Sequence, residues 1–89
     1  MADEQTFLSV LTAWRAAEER RIVADERYRE EHAREFSALE KGTDTARKAH
    51  ADAKTSTLRL DRNFAQMEAT ALHHKVVFYR GSAGEAERV

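Results

Sequence analysis

Apolar and small side chains recur every three or four residues along most of this chain, the spacing of one face of an α-helix. In the first half they fall at Phe7, Val10, Trp14, Ala17, Ala24, Tyr28, Phe36 and Leu39, with Arg21 as a charged interruption. In the second half they fall at Ala46, Ala49, Ala53, Thr57, Leu60, Phe64, Met67, Ala71, His74 and Phe78. Between the two runs stands Lys41-Gly42-Thr43-Asp44-Thr45. Gly42 suits the left-handed conformation that ends a helix, and Thr43 or Asp44 suits the N-cap of the next one.

The pattern predicts an all-α fold, an antiparallel two-helix hairpin of coiled-coil type over residues 1–80. Its parts are a helix over 3–41 with Asp3 as N-cap, a turn at 42–44, and a helix over 45–80 closed by Gly81. Residues 81–89 read as a flexible C-terminal tail. Val76 to Tyr79 have strand propensity, but the helical period set at Leu60 reaches Phe78 in register and no strand partner exists. One glycine costs a helix only about 1 kcal/mol, so a single uninterrupted rod is the alternative.

Folding back at Gly42 sets Phe36 against Ala49, Tyr28 against Thr57, Trp14 against Ala71 and Phe7 against Phe78. Large faces small at most levels, which fills space without voids. Arg21 falls opposite Phe64, where its stem can cover the ring. No large apolar residue lies between Leu39 and Leu58, so the turn end reads as alanine-packed and weakly held. Thr55-Ser56-Thr57 adds poor helix formers there.

Charge changes the picture in one respect. The chain has 89 residues and a formal net charge of −1. Residues 1–40 carry ten acidic and six basic side chains, and residues 41–80 carry four acidic and eight basic. Oppositely charged helices favour the hairpin over self-pairing of either one.

Two helices hide one stripe each, and this chain has more apolar surface than that. Leu8, Leu11, Ile22 and Val23 lie off the first seam. Leu58, Ala65, Ala69, Leu72, Val76 and Tyr79 form a second stripe on the second helix. The expected partner interface is therefore Leu8, Leu11, Trp14, Ile22, Val23, Leu58, Leu72, Val76 and Tyr79, with Trp14 either a core anchor or a binding hot spot. It serves a homodimer in the form of a four-helix bundle, another protein, or both.

Candidate chemistry is thin. Cysteine is absent, which removes thiolate metal sites and cysteine nucleophiles. His73 and His74 are adjacent, about 100° apart on a helix, and cannot chelate one ion from one face. A weak His32/Glu35/His50 site is the nearest approach to a metal cluster, and no cofactor is implied. No phosphate loop or nucleophile motif occurs, so an enzyme is not expected. The composition reads as a soluble, cytoplasmic protein of bacterial or phage type, with no membrane partner.

The expected function is a non-enzymatic protein–protein interaction module: an adaptor, assembly factor, small chaperone or inhibitor. The alternative is a small nucleic-acid-binding protein using Arg47, Lys48, Lys54, Arg59 and Arg62 on the second helix. The acidic first helix argues against it. Trp14 is followed by Arg15-Ala16 rather than by x-Gly, which excludes the WXG-type family.

Overall fold

Gly42 is the residue that lets the chain turn. Its φ of +130° lies where side chains are strained. In the computed structural model, which describes residues 4–87 with side chains through Gly81, three helices account for nearly all of the chain. They are α1 (Glu4–Ala38), α2 (Asp44–Lys54) and α3 (Ser56–Glu87). The fold is all-α, with no strand among the described residues.

Thr43 caps α2, its hydroxyl accepting from the Ala46 N–H at 3.2 Å. A Cβ on Gly42 would meet only Ala46 Cβ at 3.8 Å, an ordinary contact. The cost of Gly42→Ala is therefore backbone strain, about 1–2 kcal/mol. It should appear as a lower urea midpoint with an unchanged slope.

The expected second helix is jointed. Thr55 adopts φ −110° and ψ 16° between α2 and α3. Its hydroxyl donates to the Ala51 carbonyl at 2.7 Å, beside its own N–H at 3.1 Å. A threonine bonding back to the i−4 carbonyl bends a helix. The Arg59 N–H donates to Thr55 O at 2.9 Å, so helical bonding resumes directly after the joint.

Other boundaries also shift. α1 stops at Ala38 rather than Lys41. α3 passes through Gly81 and runs to Glu87, so Gly81 is not a cap. The expected Asp3 cap and residues 88–89 of the expected tail lie outside the described residues.

α1 packs along both α2 and α3, an arrangement that fits a helical hairpin. The contacts run in opposite chain directions. Glu35 reaches His50, Tyr28 reaches Arg62, and Trp14 reaches His73. The expected register holds near the turn, but farther along Tyr28 meets Arg62 instead of Thr57, and Trp14 meets His73 instead of Ala71.

The largest correction concerns which side of α3 faces α1. The inward residues are Ala51, Thr55, Leu58, Arg62, Ala65, Ala69, Leu72, Val76 and Tyr79. The expected seam, from Ala46 through Leu60 and Phe64 to Phe78, faces solvent. On α1 the expected seam is the inward one, with Ala17 fully buried and Phe7, Val10, Trp14, Ala24, Tyr28 and Phe36 half-buried. That seam already carries four aromatic rings. Facing it with Ala51, Ala65 and Ala69 lets the helices approach, whereas Phe64, Met67 and Phe78 would crowd it.

At the turn end Ala51 is buried, whereas the expected Ala46, Ala49 and Ala53 are exposed. His32 Nε2 pairs with Asp52 at 2.7 Å and His50 Nε2 with Glu35 at 3.0 Å. Arg47 lies over the Phe36 ring at 4.3 Å and donates from Nε to its carbonyl. Polar pairs hold this end where large apolar residues are missing.

The result is a rod of 67 × 18 × 14 Å. Its radius of gyration, 19.4 Å, compares with about 12 Å for a compact domain of this length. Its accessible surface of 6831 Å² compares with roughly 5300 Å² for an ordinary folded chain of this mass. Apolar burial is correspondingly slight: Ala17, Ala51, Ala69 and Val76 are the fully buried apolar residues among those described.

Candidate interaction surface

Each helix turn of α3 advances 3.6 residues, so positions alternating by three and four stay on one face. α3 has two such rows. The inner one, through Leu58, Arg62, Ala65, Ala69, Leu72, Val76 and Tyr79, is covered by α1. The outer one runs Leu60, Phe64, Met67, Ala71, His74, Phe78 and is offset by two positions, close to half a turn. It therefore lies on the side of α3 turned away from α1.

The outer row is open. Phe64 and Met67 are each 66% exposed, Phe78 67% and Leu60 53%, with Val77 beside them. Phe78 meets the Tyr79 ring edge-on at 5.4 Å, which leaves its outer surface free. Two phenylalanines, a methionine, a leucine and a valine exposed to this degree present roughly 500 Å² of apolar surface, at the upper end of what monomers leave bare. Leu60 to Phe78 spans about 27 Å along the helix.

The expected interface residues divide unevenly. Val76 is fully buried, and Leu11, Trp14, Leu58, Leu72 and Tyr79 are half-buried, so these belong to packing between helices. Leu8, Ile22 and Val23 are exposed but do not form a row. Val23 and Leu58 line a shallow groove of about 440 Å³ bordered by Glu19, Arg20, Arg27 and Asp61. The outer row is the one whose period reads as the seam. Its spacing is visible in the sequence, but its exposure is not.

The expected basic face is broken up in the same way. Arg62 lies over the Tyr28 ring at 4.3 Å, with its Nε buried and unbonded. Arg47 is held at Phe36, as described above. Lys48, Lys54 and Arg59 remain exposed. Two of five cations thus serve the joint with α1, where a guanidinium gains from an aromatic face.

The histidines separate into pairs. His32 and His50 each take a different carboxylate, and no group of three metal-ligating side chains exists among the described residues. His73 tilts against Trp14 with ring centroids 5.3 Å apart, and the Trp14 Nε1 is buried without an acceptor. Beside them Arg21, the charged interruption in the α1 seam, donates to Glu18 at 3.0 and 3.2 Å. That hydrogen bond holds the Glu18 carboxyl below the usual range and the Arg21 guanidinium above its own. Arg21 is thus satisfied by its own helix, without Phe64.

Among the described residues no helix is long and apolar enough to cross a membrane. Compared with protein-family models, curated proteins and solved structures, the chain matches none of them.

Proposed function

We propose that the chain is a helical hairpin that works as a non-enzymatic protein–protein interaction module, with the outer row of α3 as its binding surface. The observation that carries this reading is the exposed row Leu60, Phe64, Met67 and Phe78. It is continuous, helical in period and opposite to the face that α1 covers. Rows of this kind are how one helix presents itself to another. Self-association through this row makes a four-helix assembly with the two α3 helices in the centre and the two α1 helices outside.

Burying each such side chain gains about 1.5–3 kcal/mol, which makes an uncovered row costly. The scaffold is a narrow rod with shallow grooves, which suits presentation of a face better than enclosure of a small molecule. The test compares wild type with Phe64→Asp and Met67→Asp, by light scattering and by affinity capture. Loss of self-association and of captured protein in both variants supports the reading. Retention of every association in both contradicts it.

A further inference from the structure

We infer that the outer row of α3 pairs with the same row of a second copy of this chain, the two α3 helices running antiparallel. This rests on the reading of that row as a protein-binding surface and names what covers it.

The row is nearly self-complementary when reversed. Its ends are Leu60 and Phe78, so a two-fold axis falls near position 69. Pairing about that axis sets Leu60 against Phe78 of the second copy, Phe64 against His74, and Met67 against Ala71. The long, adaptable methionine fills the space that alanine leaves. A parallel pairing instead sets each residue on itself. Phe64 then meets Phe64 while Ala71 meets Ala71, which alternates overfilled and empty layers.

Charge on the flanks selects the same direction. Asp61, Glu68 and Lys75 border the row on one side, and Asn63, Thr70 and Val77 on the other. An antiparallel pair brings like flanks together. Asp61 of each copy then meets Lys75 of the other, giving two reciprocal ion pairs. Both side chains are exposed, and neither has an ion-pair partner among the described residues. Glu68 falls beside its own symmetry mate, but Arg20 of the same chain already binds it. The other flank brings Thr70 to Thr70 without charge. A parallel pair would set the charged flank against the uncharged one and make no ion pair.

The outer row presents roughly 500 Å² of apolar surface. The exposed flanks at Asp61, Asn63, Thr70 and Lys75 widen the contact toward the roughly 800 Å² per partner of a standard interface.

The test uses the absence of cysteine in the chain. Thr70→Cys places a thiol near the axis, and a short bis-maleimide should join two copies efficiently. Asp61→Cys places thiols about 24 Å apart along the pair and should not cross-link. Asp61→Lys should weaken self-association about three- to tenfold, and adding Lys75→Glu should restore it. Cross-linking at Thr70 but not at Asp61, with rescue by the charge swap, supports the inference. Equal cross-linking at both positions overturns the antiparallel direction. A wild-type chain that stays monomeric, yet captures another protein in a Phe64-dependent manner, overturns the second copy while leaving the binding surface in place. A dimer indifferent to Phe64→Asp overturns both.

Discussion

Phe64→Asp is expected to convert the self-associated chain to a monomer while leaving its helix content intact. The ring is two-thirds exposed within the single chain. Its removal should therefore change the stability of that chain by no more than about 0.5 kcal/mol. In the assembly the same position is covered twice, once in each copy. Losing the newly buried two-thirds of two rings, about 1–2 kcal/mol each, weakens association roughly thirty- to several-hundredfold. The introduced carboxylates add a desolvation cost on top. Sedimentation equilibrium gives the association constant, and far-UV circular dichroism gives the helix content.

Val76→Asp should have the opposite signature. Val76 is fully buried between the helices. An aspartate there is a buried charge without a partner, which costs several kcal/mol. A chain whose fully buried apolar side chains are three alanines and a valine has little stability to lose. The expected result is loss of the cooperative urea transition at 25 °C, at every protein concentration tested. Leu72→Asp and Tyr79→Asp, which the sequence points to as dissociating changes, should likewise damage the single chain first. A Val76→Asp protein with a normal transition, impaired only in association, would mean that the two rows of α3 have been assigned the wrong way round.

That contrast marks the limit of what the sequence conveys. The helical period, the stop at Gly42, the cap at Thr43 and the inward seam of α1 all have local causes, so they can be read from neighbouring residues. The choice between two rows on α3 has no local cause. Both rows alternate by three and four, and both carry leucine, alanine and an aromatic ring.

Arg62 stands in the middle of the inner row and looks disqualifying there. In the fold its guanidinium lies over Tyr28, which turns an apparent interruption into packing. The usable signal was on α1. A seam holding Phe7, Trp14, Tyr28 and Phe36 calls for small residues opposite, and Ala51, Ala65 and Ala69 supply them. The polar pairs at the turn are partly legible, because His32, Glu35 and His50 fall at compatible levels. That grouping reads as a weak metal site rather than as two ion pairs, and it does not point to Asp52.

The jointed second helix has a similar lesson. Thr55-Ser56-Thr57 is visible as a weak stretch, and the joint falls at its first residue. What composition does not show is that the Thr55 hydroxyl is buried and bonds to the Ala51 carbonyl. A weak helix former there is a joint held by its own hydroxyl rather than a loose segment.

The measurement closest to the central claim is the molar mass of the wild-type chain in solution, followed by light scattering from micromolar to millimolar concentration. The chain is 10.2 kDa. A mass twice that value, falling toward the single-chain value on dilution or on Phe64→Asp substitution, is the predicted result. A fully helical protein that holds the single-chain mass across the whole range would contradict the account.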